Sequence, residues 1–162
     1  MNRPLKSTPG CPKVGWQWLR AIDLHDDEGR EYGDYEQCEF CDKEQIRFVH
    51  YLRHPDWKDE IAVGRICADA LSGDVRADSE ERRLRNRAQR KTNFLKLKSW
   101  RTSAKGNYWI EYQEHHIIVV RCSNGKFKLR IDGVAGKLFF NDKTAAMGRA
   151  FDVVMKRVEQ GR

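Results

Sequence analysis

Cys38 and Cys41 are separated by two residues, and a third cysteine follows in the run Val63-Gly64-Arg65-Ile66-Cys67-Ala68. His50 and His54 lie between them. One tight turn can aim a Cys-x2-Cys pair at a single tetrahedral ion, and thiolate with imidazole is the ligand set zinc prefers. This spacing constrains the fold, because the chain beyond Cys41 has to come back to the turn it left. With 162 residues the chain makes one domain or two small ones. Halves of about 75 residues are marginal on hydrophobic burial alone, so a structural metal suits them.

The ligands expected for Zn2+ are Cys38, Cys41 and Cys67, with His54 or His50 as the fourth. A strand rises about 3.3 Å per residue, which carries His50 away from the cysteine turn unless the hairpin bends back. His25 and Asp69 are substitutes. Four protein ligands close a site and make it structural, whereas a catalytic zinc keeps a position open. No His-Glu-x2-His spacing occurs. Five cysteines, three of them in this cluster, favour a reducing cytoplasm over a disulfide framework. Cys122, in an apolar strand, reads as a small core residue, and Cys11 sits in a Pro/Gly-flanked leader. The N-terminal residues lead into no apolar segment, so no secretory signal is expected. No run approaches the roughly 18 apolar residues of a membrane span, so no membrane is expected as a partner.

The net charge of +7 is concentrated. Between Arg76 and Arg101 stand ten basic and three acidic residues, and the rest of the chain is balanced. A concentrated basic element is an electrostatic footprint for a polyanion. Arg82, Arg83, Arg85, Arg87, Arg90, Lys91, Lys96, Lys98 and Arg101 wrap most of a helix expected over 79–98. Asp78 as N-cap and Glu81 three residues on read as its capping box. The arginine fork matches phosphate oxygens. A solvated helix that keeps the protein soluble would look the same. Phe94, Trp100, Tyr108 and Trp109 accompany the basic run as stacking surfaces for bases or as core residues.

Elsewhere, 1–13 reads as a flexible leader, 14–23 as a strand or short amphipathic piece, and 25–33 as an acidic loop. Alternation and β-formers predict strands over 45–52 and 60–64, then a short helix from Cys67. Strands are expected at 108–112, 116–122 and 126–131, with a fourth at 137–140. Ser123-Asn124-Gly125 is a hairpin signal. Ala146, Ala150, Phe151, Val154 and Val158 predict a helix over 143–159. The fold class is therefore α+β: a zinc module over 1–75, a basic linking helix over 76–101, and an antiparallel sheet packed by a C-terminal helix over 102–162.

The order of cysteine turn, hairpin and cysteine-bearing helix over 38–72 resembles the treble-clef zinc finger. That finger usually takes two ligands from its helix, yet the position three beyond Cys67 is Ala70. Cys38-x2-Cys41, Val49-His50, His54-Pro55, Val63-Gly64-x2-Cys67-Ala68 and Lys105-Gly106-Asn107 resemble an uncharacterised family of small bacterial proteins, which implies no activity. Relatives there often carry cysteine at the Arg65 position and histidine at the Ala70 position, so this chain lacks two ligands the resemblance implies. Trp109, Lys126-Phe127-Lys128-Leu129-Arg130 and Ala145-Ala146-x3-Ala150-Phe151-Asp152 resemble the three-stranded-sheet-plus-helix DNA-binding domain of plant ethylene-response factors and phage integrase arms. That resemblance makes Lys126, Lys128 and Arg130 the readers. With the basic helix, the order also resembles a double-stranded-RNA-binding domain. Glu114-His115-His116 resembles the opening of a His-Asn-His nuclease, but no later histidine follows to bind a metal.

The expected function is zinc-stabilised binding of DNA or RNA, in a phage or mobile-element setting. The alternative is a protein-interaction adaptor with a structural zinc module. A metal-dependent nuclease comes third. No Gly-rich phosphate loop, nucleophile elbow or close carboxylate pair marks an enzyme.

Overall fold

The computed structural model describes residues 3–26 and 35–161. Most of the acidic loop expected at 25–33 lies outside the described residues. The chain is mixed α+β and divides into two compact units, residues 1–87 and 88–162.

In the first unit, β1 (Gln17–Asp23), β4 (Phe48–Arg53) and β5 (Ile61–Val63) form an antiparallel sheet in the order β1-β4-β5. A short ribbon of β2 (Glu36–Gln37) and β3 (Gln45–Ile46) brackets the cysteine turn. Phe48, Val49, His50 and Leu52 are all buried, so β4 is covered on both faces. Helix α1 (Arg65–Ser72) starts straight after β5 through Gly64. A Cβ at Gly64 would lie 2.7 Å from a Glu44 carboxylate oxygen and 3.0 Å from an Ile46 methyl, so a larger residue would have to push the Glu44 side chain aside and crowd Ile46. The proline-rich leader reads as flexible, yet Leu5 and Lys6 donate their N–H groups to the Glu39 and Phe40 carbonyls at 3.0 and 2.9 Å. Cys11 joins the core.

Helix α2 (Arg76–Leu95) begins three residues before the expected start. Asp74 accepts the Arg76 N–H at 2.9 Å, which takes the capping role assigned to Asp78. Asp78 lies inside the first turn, and Glu81 turns into the core instead of back to the backbone.

In the second unit, β6 (Arg101–Thr102), β7 (Tyr108–Tyr112), β8 (His115–Arg121), β9 (Phe127–Ile131) and β10 (Val134–Phe140) form an antiparallel meander in the order β10-β9-β8-β7-β6. Helix α3 (Lys143–Gln160) packs on β8, β9 and β10. Its N-cap Asp142 accepts the Ala145 N–H at 2.8 Å. Ile110, Ile117, Val119, Leu129 and Ile131 face the helix residues Ala146, Ala150, Phe151 and Val154. The Phe94 ring sits among them, 4.7 Å from Tyr112 and 5.6 Å from Phe151. The β8–β9 turn falls at Ser123-Asn124-Gly125, as expected. The β7–β8 turn is tighter: Gln113 and Glu114 both take positive φ (49° and 63°), a conformation that neither residue type advertises. β10 runs three residues further back than the sequence predicts, because Asp132-Gly133 closes a hairpin onto β9.

Candidate metal centre and sheet face

The cysteine turn is built by backbone hydrogen bonds. Cys38 donates its N–H to the Glu44 carbonyl (2.9 Å), and Asp42, at φ 54°, donates to the Cys38 carbonyl (2.8 Å). The Gly64 N–H points at the Cys38 sulfur, 3.4 Å away, which sets the start of α1 beside the turn. Cys67 lies in the first turn of α1. The sulfurs of Cys38, Cys41 and Cys67 all lie within 4.8 Å of one another. Three thiolates around one zinc, each at about 2.3 Å, stand roughly 3.8 Å apart, so the three cysteines could hold a metal ion. Burial pushes the Cys41 thiol up, but the Lys43 and Glu44 N–H groups and the neighbouring thiols outweigh it and hold it below its ordinary value. Burial pushes Cys67 well up, and the charges of Cys38 and Cys41 push it further.

Neither candidate histidine joins this cluster. His50 is fully buried and both ring nitrogens are engaged. Trp18 donates its indole N–H to Nδ1 at 3.2 Å, so the ring proton sits on Nε2 and points at a Glu81 oxygen 3.1 Å away. The other Glu81 oxygen accepts two bonds from Arg85, at 3.0 and 2.7 Å. Burial raises the Glu81 carboxyl, but the bonds from His50 and Arg85 win and hold it below the usual glutamate range. His54 accepts the Asp56 N–H on Nδ1 (3.0 Å) and packs on Trp16, which makes it a turn residue. The Trp18–His50–Glu81–Arg85 chain escaped sequence reasoning. Its one signal was a histidine in the middle of an apolar strand.

The basic residues of α2 are mostly matched by acids. Arg82 meets Asp78 (2.8 Å), Arg83 meets Glu80 (3.0 Å) and Arg85 meets Glu81 (2.7 Å). Arg87 lies 3.9 Å from Asp26, and Lys91 pairs with Asp152 at 2.8 Å. Arg90 donates to the Met155 sulfur (3.3 Å). Lys98 is exposed beyond the helix end.

The meander presents a different surface. Cross-strand register places Arg101, Trp109, Ile118, Arg130 and Ala135 in one row across all five strands. Val120, Lys128 and Phe139 form a second row two residues along. Inward residues alternate with these, so both rows lie on the face opposite α3. The Arg101 guanidinium lies 5.4 Å from the Trp109 ring centroid, and the Lys128 ammonium 4.5 Å from that of Phe139. Lys126 is exposed at the β8–β9 turn. Among the described residues no carboxylate pairs with Arg101, Lys126, Lys128 or Arg130. A hollow of about 460 Å3 next to Trp109 is lined by His116, Ile118, Ser103, Lys105 and Asn107. One acid lies on this face, Glu111, held against His116. Of the other aromatics singled out, Phe94 is buried, Trp100 donates to the Phe94 carbonyl (3.0 Å), and Tyr108 packs on the core. His115 pairs with Asp132 at 2.6 Å, so the two histidines of the nuclease-like stretch face separate carboxylates.

The chain matches no protein-family model, no curated protein and no solved structure. Among the described residues no helix is long and apolar enough to cross a membrane.

Proposed function

We propose that the chain is a zinc-stabilised nucleic-acid-binding protein whose contact surface is the face of the C-terminal sheet opposite α3. One observation carries the reading: the cations Arg101, Lys128 and Arg130, without carboxylate partners among the described residues, share cross-strand rows with Trp109, Ile118, Val120 and Phe139. Strands lie about 4.8 Å apart, which sets Arg101 and Arg130 roughly 14 Å from one another across the row. Two cations at that reach grip separate phosphates, while Trp109 and Phe139 offer ring faces to bases between them. The resemblance to sheet-based DNA readers supports the same strands. The helix arginines contribute field more than contact, because each exposed pair is already half neutralised.

In this reading zinc fixes the cysteine turn to the start of α1 through Cys38, Cys41 and Cys67. A thiolate-rich set favours zinc or another soft ion over magnesium or calcium. The ion supplies folding free energy to this unit. Resonance shifts on adding a single-stranded oligonucleotide test the placement: they should fall on Trp109, Ile118, Lys128 and Arg130. Shifts confined to α2 would move the interface to the helix, and no shifts at all would favour the adaptor.

A further inference from the structure

Three cysteines supply three of the four ligands of a zinc tetrahedron. The side chains first considered for the fourth are engaged elsewhere. His50 commits both ring nitrogens to Trp18 and Glu81. His54 serves the turn at Asp56, and His25 packs against Tyr35 with ring centroids 5.7 Å apart. Asp69 stands two residues beyond Cys67 on α1, and residues so spaced do not share a helix face. Its carboxylate lies 3.7 Å from Arg65. Glu39 accepts the Ala62 N–H at 2.5 Å.

Glu44 is different. Its main chain belongs to the cysteine turn: its carbonyl accepts the Cys38 N–H at 2.9 Å, and its own N–H faces the Cys41 sulfur. Its carboxylate makes no hydrogen bond and no ion pair among the described residues. One carboxylate oxygen lies 2.7 Å from the point where a Cβ on Gly64 would stand. Gly64 also aims its N–H at the Cys38 sulfur, 3.4 Å away. One glycine therefore borders both a sulfur of the cluster and the free carboxylate. Backbone strain does not call for that glycine, because φ −75° and ψ 164° are open to any residue. What its missing side chain supplies is room for Glu44.

Gly64 is the N-cap of α1, yet Glu44 accepts none of the helix N–H groups, so it is not a cap. A free carboxylate beside three thiolates is repelled by them unless a cation sits between. Carboxylate oxygen serves zinc alongside thiolate. Glu44 is not within 4.8 Å of all three sulfurs. It borders a hollow of about 550 Å3 beside Arg65 and Ile66, and its side chain has three rotatable bonds with which to close on an ion. We infer that the Glu44 carboxylate completes the zinc site of Cys38, Cys41 and Cys67 as its fourth ligand. This inference rests on the zinc reading above and adds the ligand that reading lacks.

The test uses the full-length chain loaded with zinc, with affinity read by competition against a chromophoric chelator. Glu44→Gln should weaken zinc by about 10–100-fold, since even an outer partner of a metal ligand is worth that much. Asp42→Asn removes an exposed carboxylate from the same turn and should leave the affinity unchanged. Glu44→Cys reads the geometry. X-ray absorption at the zinc edge should count four sulfurs in that variant, where the parent shows the three of its cysteines and one lighter atom. Asp42→Cys should stay at three. A role confined to the helix end or to local charge would not change the sulfur count. A parent that takes up no zinc overturns the metal reading and this inference together. A parent that binds zinc overturns the inference alone if Glu44→Gln keeps its affinity, or if Glu44→Cys keeps three sulfurs.

Discussion

His50 directs its Nε2 proton at a Glu81 oxygen 3.1 Å away, across the interior of the first unit. The bond ties β4 to α2, and Trp18 fixes the tautomer that makes it. Glu81→Gln sets an amide N–H against a donor from either His50 or Arg85. Its expected cost is about 1–3 kcal/mol, read by chemical denaturation. The Glu81 carboxyl lies below the usual range, so its contribution is complete above the unfolded-state pKa of about 4.3 and fades as pH falls through the folded value. The stability gap between parent and variant should therefore narrow below about pH 4.3. A gap that is constant or widens on acidification contradicts this role.

Cys41→Ser removes one sulfur of the cluster. Metal analysis of the parent should give about one zinc per chain, and the variant should retain far less. The first unit should lose roughly 2–3 kcal/mol, a drop of about 10–20 °C in its melting temperature. Amide resonances of 108–159 should stay in place, because that unit has its own core. A variant that melts like the parent would leave the cysteines without a metal role.

Arg83→Ala/Arg87→Ala/Arg90→Ala tests the helix. Arg83 and Arg87 face carboxylates and Arg90 faces a sulfur, so few of these charges are free to displace counterions from a nucleic acid. The slope of log K against log salt should fall by less than about one unit. A fall of roughly 2–3 units would make the helix the main contact.

What the sequence revealed depended on whether the signal was local. The helix at 143–160 and the strands at 108–112 and 127–131 follow from alternation and spacing that chain neighbours carry alone. The cysteine cluster was legible because a Cys-x2-Cys turn is itself local. His50 was not, since its partners Trp18 and Glu81 lie 32 and 31 residues away. The concentrated charge of 76–101 was plain, but the acids that answer it on other elements, such as Asp26 and Asp152, became visible only in three dimensions. The row from Arg101 to Arg130 depends on strand register. Its step from β7 to β8 is set by a Gln113-Glu114 turn with no sequence signature.

Trp109→Ala removes a ring from the sheet face while sparing the inward residues. Single-stranded binding should weaken by about 1–3 kcal/mol, the usual worth of one stacked base. The salt slope should stay unchanged, because no phosphate contact is lost. Titration by fluorescence anisotropy at several salt concentrations reads both quantities, and a changed slope with unchanged affinity would contradict the stacking role.

Salt-dependent binding of the parent and of Arg101→Ala/Lys128→Ala/Arg130→Ala to one single-stranded oligonucleotide is the most direct test of the sheet face as a nucleic-acid surface. Loss of three phosphate contacts should lower the slope of log K against log salt by about 2 units. Affinity should fall about equally for unrelated sequences, since phosphate contacts position without specifying. No parental binding at moderate salt, or a slope that survives the triple change, would contradict the account.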